Sequence, residues 1–522
     1  MSGRQMRAEE AEIHPEWGPF GVPLFDGPEA QSLARVGVID IGSNSVRMVI
    51  FDGAARSPAY FFNEKILCGL GMGFSETGRL HPEGKERALA ALRRFARLAE
   101  AAEVSPLLAV ATAAVRDAQD GLAFREQVRA ETGLAIRVID GAEEARLSAQ
   151  GVLLGWPGAA GLICDIGGSS MELAELQGSG KVGHRATSDL GPLKLLGMKA
   201  DKKSLRTHIK AEVATLATGF AEGTERLFLV GGSWRAIARI DMERRGYPLK
   251  VLHEYRMTPR GILETLKYIA ETDINELRGR TGTSAERMRL VPMAAEVLRA
   301  LVRKLQPREI AVSSYGIREG LLYEQMSDAL KARDPLIEAA RHSEAQLSRM
   351  PGFGRKLYHF VEPLFPRAKH DKKRLIRAAC LLHDVSWRAH PDYRAEVCFD
   401  NATRANLGGM THAERVYLGL ALLHRYKSSR VGTGFNAELL TLLPADQVRE
   451  AEILGRAMRF GAMFAVTNLA DHGALSFRPK RRELILRLHT DAARDLFGEV
   501  ALARFNALAA AMDVTPIIAK AG

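Results

Sequence analysis

The stretch VGVIDIGSNSVRMVIFD, residues 36–52, reads as two strands joined by a tight turn. An apolar run at 36–41 meets Gly42-Ser43-Asn44-Ser45, and a second apolar run begins at Val46. Residues 161–176, GLICDIGGSSMELAEL, repeat the arrangement, with Asp165-Ile166-Gly167 standing where Asp40-Ile41-Gly42 stands in the first copy. Downstream the two halves keep step. In the first, 107–115 reads as a buried strand and 135–140 as another. In the second, 227–230 runs into Gly231-Gly232-Ser233, and 310–314 is followed by Tyr315-Gly316. Leu89, Leu92, Phe95 and Leu98 mark an amphipathic helix between strands. The reading is an α/β protein with two duplicated copies and a cleft between them. From about 330 strand-like runs give way to helical periodicity, as in 375–383 and 413–424, which predicts an all-α third domain. The expected boundaries are a flexible extension at 1–34, α/β domains at 35–148 and 149–328, and a helical domain at 329–522.

Bulk composition narrows the class. A chain of 522 residues exceeds one ordinary core. Its apolar fraction of 46% and charged fraction of 26% are those of a globular protein. No run is apolar enough for a membrane helix, and the N-terminal residues lack the apolar core of a secretory signal. Cys68, Cys164, Cys380 and Cys398 lie far apart, which argues against a disulfide framework or a cysteine zinc site and for a reducing cytoplasm. The net charge of +11 favours capture of polyanions without separating nucleic acid from polyphosphate.

The chemistry sits in the two Asp-Ile-Gly turns. Glycine lets backbone approach a ligand, and successive N–H groups form an anion-binding concavity. Ser43, Asn44 and Ser45 add donors on one side, and Ser169 and Ser170 on the other. Asp40 and Asp165 stand at strand ends, where a carboxylate can hold a hard cation. Competing motifs fail. Neither Gly84-Lys85 nor Gly180-Lys181 continues into a Walker A loop. No GxSxG elbow occurs, and Gly69, Gly71 and Gly73 lack GxGxxG spacing.

The motifs DIGSNSVRM, VATAAVRDA, GAEEARLSAQGV, DIGGSSMEL and SSYGIREGLLYE, in that order, resemble the exopolyphosphatase / guanosine pentaphosphate phosphohydrolase family. The resemblance implies two actin/hexokinase-like (ribonuclease H-like) domains. It implies Glu144 as the catalytic glutamate that activates water, and Arg116 as a holder of a phosphate. Asp165, Glu172 and Asp40 become metal-side carboxylates for Mg²⁺ or another divalent cation. Ser43, Asn44, Gly167, Gly168, Ser169 and Ser170 become the phosphate cradle. Ser169 replaces a usual third glycine and Met171 a frequent threonine, which bears on substrate preference.

The tail, with His383-Asp384 in AACLLHDVSW, is similar to the HD-like third domain of the family's long members. The later carboxylate of a working HD site is missing near Gly461, with Asp471 only a weak substitute, so a degenerate HD fold is expected. Lys372-Lys373-Arg374 and Lys480-Arg481-Arg482 are expected to lengthen a basic surface. The implied activity is processive release of orthophosphate from inorganic polyphosphate. The alternatives are conversion of guanosine pentaphosphate to tetraphosphate, a non-catalytic polyanion or RNA sensor, and a kinase-like phosphotransferase. The family resemblance implies a homodimer.

Overall fold

A computed structural model describes residues 35–53, 56–198, 200–427 and 437–520; the 1–34 extension lies outside them. The described chain divides between Ala332 and Arg333 into an α/β part and a C-terminal part.

The α/β part holds two mixed sheets. The first contains β1 (Val36–Ile41), β2 (Ser45–Phe51), β3 (Tyr60–Leu67), β4 (Leu107–Ala111) and β5 (Ile136–Val138), in the order β3-β2-β1-β4-β5. The second contains β6 (Ala160–Ile166), β7 (Met171–Gln177), β8 (Val182–Ser188), β9 (Arg226–Val230), β10 (Arg256–Met257) and β11 (Glu309–Ser313), in the order β10-β11-β9-β6-β7-β8. In each sheet the leading three strands are antiparallel and two further strands, β4 and β5 in the first and β9 and β11 in the second, run parallel to the first, with β10 antiparallel at the second sheet's edge. The central strands are buried on both faces, as their near-continuous apolar runs demand. The amphipathic helix is Pro82–Ala101, with Pro82 at its first turn and Leu89, Leu92 and Phe95 buried.

One expected strand is split. The 107–115 run is β4 to Ala111 and then the short helix Ala113–Asp117. Alanine-rich sequence tolerates both states, and the chain must turn at Thr112 to leave the sheet.

The helix Gly141–Gly155 crosses the expected 148/149 boundary. Asp140 caps it, accepting from the Glu143 amide at 2.7 Å. It meets the helix Ile317–Glu324 at very short range. A Cβ on Gly320 would sit 1.9 Å from the Leu147 carbonyl oxygen, and one on Gly151 would sit 2.3 Å from that of Gly316. Only glycine permits this crossing, which fixes the Glu144 helix against the helix carrying Arg318.

The C-terminal part corrects the all-α expectation. Its helices are joined by a three-stranded sheet of β12 (Gly473–Arg478), β13 (Glu483–Leu488) and β14 (Thr515–Lys520). Leu484, Leu486 and Leu488 alternate inward along β13, a period that helical neighbours conceal. The basic-surface expectation for 372–374 is also corrected. Arg374 is buried and donates to both oxygens of Asp334, while Lys372 and Lys373 pair with Glu450 and Glu362. A buried guanidinium survives only when its charge is paired.

Gly320→Ala should lower the denaturation midpoint by an amount equivalent to about 1–3 kcal/mol, the usual cost of overpacking. Chemical denaturation against Gly197→Ala, whose Cβ would meet nothing within 4 Å, checks it.

Candidate active site

The two turns are built alike. The Gly42 amide donates to the Ser45 carbonyl and the Gly167 amide to the Ser170 carbonyl, each at 3.0 Å. Neighbouring backbone braces both: Cys68 and Gly69 amides donate to Asn44, and the Leu193 amide to Gly168 at 2.9 Å. The turns also touch, since a Cβ on Gly168 would lie 3.0 Å from Ser43 Oγ. Both open on one cavity of about 300 Å³.

Of the residues singled out in the sequence, Asp40, Ser43, Asn44, Glu144, Asp165, Gly167, Gly168, Ser169 and Ser170 line this cavity. Glu172 does not line it but is buried directly behind, opposite Asp165 in the β6–β7 register. Arg116 does not line it either. Its guanidinium donates to Asp117 at 2.8 and 3.2 Å and to the Ile139 carbonyl at 3.2 Å.

The two hairpins differ in charge. Asp40 faces Arg47 across its strand pair, whereas Asp165 faces Glu172. On the second side an acid therefore opposes an acid, and Glu144 joins them from the helix. Ser148, one turn further along that helix and fully buried, donates to Asp165 Oδ2. Thr187 Oγ1 donates to Glu172 Oε1 at 3.2 Å. Glu144 is buried and its Oε2 has no hydrogen-bond partner. Glu143, its neighbour, is tied instead to Arg137 and Arg146.

Burial first, and then Glu172, Asp165 and Asp40, push the Glu144 carboxyl well above the usual carboxylate range. Burial and Asp165 push Glu172 up to about 8, against the hydroxyls of Ser170 and Thr187. Burial raises Asp165 too, opposed by Ser148.

The remaining wall is basic and was not read from the sequence. Arg47, Lys65, Arg235, Arg287 and Arg318 all line the cavity. Burial, then Arg318 and Arg287, bring Arg235 down to about 10; burial, then Arg287 and Arg47, lower Lys65. Arg318 Nε is buried without a hydrogen-bond partner. Its neighbour Glu319 caps the Gly316 amide at 2.7 Å and accepts from Tyr60 at 2.5 Å, which fixes the start of that helix. Arg47 and Arg318 lie inside quoted motifs, but only three-dimensional convergence separates them from surface arginines.

Among the described residues, no three His, Cys, Asp or Glu side chains converge as a ready-made metal cage. A hard divalent cation is held by one or two carboxylates together with other oxygens, and Asp165, Asp40 and the unpartnered Glu144 oxygen are the cavity's carboxylates of that kind.

Paired sheets with facing glycine turns over a polar cleft define an actin/hexokinase-like fold with a phosphate-type site. Residues 36–329 match the Ppx/GppA phosphatase family, and residues 336–512 match the exopolyphosphatase C-terminal family. The chain belongs to the Ppx/GppA phosphatase family. It is similar to exopolyphosphatase 1 of Mycobacterium tuberculosis, 26% identical over 308 residues, covering 56% of this chain and 88% of that protein. Exopolyphosphatase 2 of the same organism is 26% identical over 317 residues, covering 56% of this chain and 98% of that protein. An exopolyphosphatase structure from Cytophaga hutchinsonii superposes with TM-score 0.51 at 23% identity, covering 57% of this chain and 98% of that one. The Aquifex aeolicus family member superposes with TM-score 0.50 at 24% identity, covering 56% and 99%.

The acid cluster sets a pH dependence. Glu172 has a folded pKa of about 8 against 4.5 ordinarily, so its contribution is full below 4.5 and is lost as pH rises through 8. The metal-free protein should lose thermal stability across that window. Glu172→Gln should flatten the profile, measured by thermal melts in chelator; an unchanged slope contradicts the cause given.

Proposed function

We propose that this chain is a divalent-cation-dependent exopolyphosphatase that removes terminal orthophosphate from inorganic polyphosphate. The observation that carries this is the cavity's polarity. Buried, mutually repelling acids stand at Glu144 and Asp165 in the wall with Glu172 behind them, and the rest of the wall carries Arg47, Lys65, Arg235, Arg287 and Arg318. A repeating polyanion matches the basic wall, and its terminal phosphate needs a cation beside the acids. The exopolyphosphatase names of the relatives support polyphosphate over guanosine pentaphosphate.

The turn amides and the hydroxyls of Ser43, Ser169 and Ser170 hold the terminal phosphate, and Arg318 and Arg235 the phosphates behind it. Glu144 receives a proton from water as its oxygen joins phosphorus. The bridging P–O bond breaks, leaving orthophosphate and a chain one phosphate shorter. A bound divalent cation would be held by Asp165, with Glu172 buried behind it, and would supply the positive charge that favours an ionised Glu144 and offsets the phosphate. The chemistry is mainly positioning and electrostatic stabilisation. Arg116 joins the phosphates only if it leaves Asp117, so its role is secondary to Arg318.

We read the matching strand orders of the two sheets as a duplication, and the C-terminal part as a degenerate HD-like domain. Support for the latter lies at Asp384, whose carboxylate takes the Arg349 guanidinium at 2.9 and 2.6 Å. His383 is buried, and burial followed by Arg425 brings its pKa down to about 4. Homodimer formation and a cytoplasmic location rest on the family resemblance and the cysteine pattern.

Glu144→Gln keeps size and removes the base. Single-turnover phosphate release should fall roughly 10²–10⁴-fold while equilibrium polyphosphate binding is retained. Unchanged hydrolysis would remove Glu144 from the mechanism. His383→Ala with Asp384→Ala should melt at lower temperature, having lost the Arg349 fork, yet hydrolyse at near wild-type rate. Abolished hydrolysis in the folded variant would refute the degenerate-HD reading.

A further inference from the structure

A second groove lies in the α/β part, between the helices Lys202–Leu216 and Val291–Leu305, with a volume of about 520 Å³. Its walls carry Arg206, Lys210, Arg299, Arg303 and Lys304 against one lining carboxylate, Glu296. Arg206 forks onto Glu296 at 3.0 and 2.8 Å. Arg299 donates to the Leu266 carbonyl at 2.9 Å, and Lys304 pairs with Glu222 at 2.7 Å. Lys210 and Arg303 are exposed and have no ion pair among the described residues. The groove is therefore left with surplus positive charge.

The spacing is regular. Arg206 and Lys210 lie four residues apart on one helix, and Arg299 and Arg303 four apart on the other. At 1.5 Å rise per residue, each wall presents a cation about every 6 Å. The floor decides between occupants. Ile209 and Val213 are each 1% exposed, and the other apolar lining residues, Ala214 and Ala300, offer an incoming helix only their methyl groups beside the stems of the basic side chains. A thin, hydrophilic, repeating anion fits this better than an amphipathic peptide.

We propose that this groove is an exosite for a stretch of the inorganic polyphosphate chain remote from the bond being cleaved. The proposal rests on the exopolyphosphatase reading. The groove raises the residence of long chains and leaves the shortest ones, which fill only the cleft, unaffected.

The test uses the full chain carrying Lys210→Glu with Arg303→Glu, both exposed positions. Arg97→Glu with Arg260→Glu is the control for bulk charge, since those side chains are 84% and 92% exposed. KM and kcat are measured for long polyphosphate and for tripolyphosphate. Long-chain binding is measured separately in a Glu144→Gln background. The expected result is a roughly tenfold rise in long-chain KM and Kd, for two lost charge contacts and two added repulsions. Tripolyphosphate kinetics and the control pair should be unchanged, and raised salt should weaken long-chain binding less steeply in the groove variant, by analogy with counterion release from nucleic acid. Equal losses for both substrates, the same loss in the control pair, or no long-chain effect would overturn the exosite. Tighter groove-dependent binding of single-stranded RNA than of polyphosphate would overturn its assignment to polyphosphate. If wild type hydrolyses neither substrate the enzyme reading fails, and the binding measurements still decide the groove.

Discussion

Holding Glu144, Asp165 and Glu172 out of water beside one another costs hydration and adds repulsion at the same place. Such an arrangement persists only if the surrounding structure leaves the acids nowhere else to go. Three devices do this. The Gly151 and Gly320 crossing presses the Glu144 helix onto its neighbour, Ser148 pins Asp165, and Thr187 pins Glu172. Protonation of these acids relieves that repulsion, and a positive charge bound beside them would do the same. Across the cavity, Arg235 and Lys65 carry the opposite strain, cation against cation. An anion beside those cations would relieve their repulsion, and a cation beside the acids would relieve theirs.

The turns explain why the fold suits this charge pattern. Each β-hairpin places its carboxylate at a strand end and its backbone amides just beyond. With Ser43 against Gly168, the amides of both copies face one space. The sheets thus hold two like turns side by side, and the difference between copies lies in what opposes each aspartate. Asp40 stands opposite Arg47 and is offset by Arg318 and Arg47, whereas Asp165 stands opposite the acid Glu172 and is offset by Ser148 and Arg235.

Much of this was legible because it is local. The Asp-Ile-Gly turns, their serines and the strands that carry them are set by neighbours within a few residues. Glu144 was separable from Glu143 only through its motif; in space one enters the cavity and the other an arginine network. What could not be read is convergent. Lys65, Arg235 and Arg287 come from three distant elements, and nothing in their flanking sequence distinguishes them from solvated charges. Arg374 shows the converse, a residue inside a charge run that is buried on Asp334. The β12–β14 sheet escaped notice because the alternation along the β12–β13 hairpin is short and lies among helices, and β14 joins β13 only across an intervening helical stretch.

The proposed reaction is release of a terminal phosphate from a long anionic chain in the cleft. The most direct measurement is initial orthophosphate release by the purified protein with magnesium, comparing long polyphosphate and guanosine pentaphosphate at equal terminal-phosphate concentration. The expected result is a higher kcat/KM for polyphosphate. A higher value for guanosine pentaphosphate would contradict the substrate assignment, and tight polyphosphate binding with no release of phosphate from either would contradict the enzyme itself.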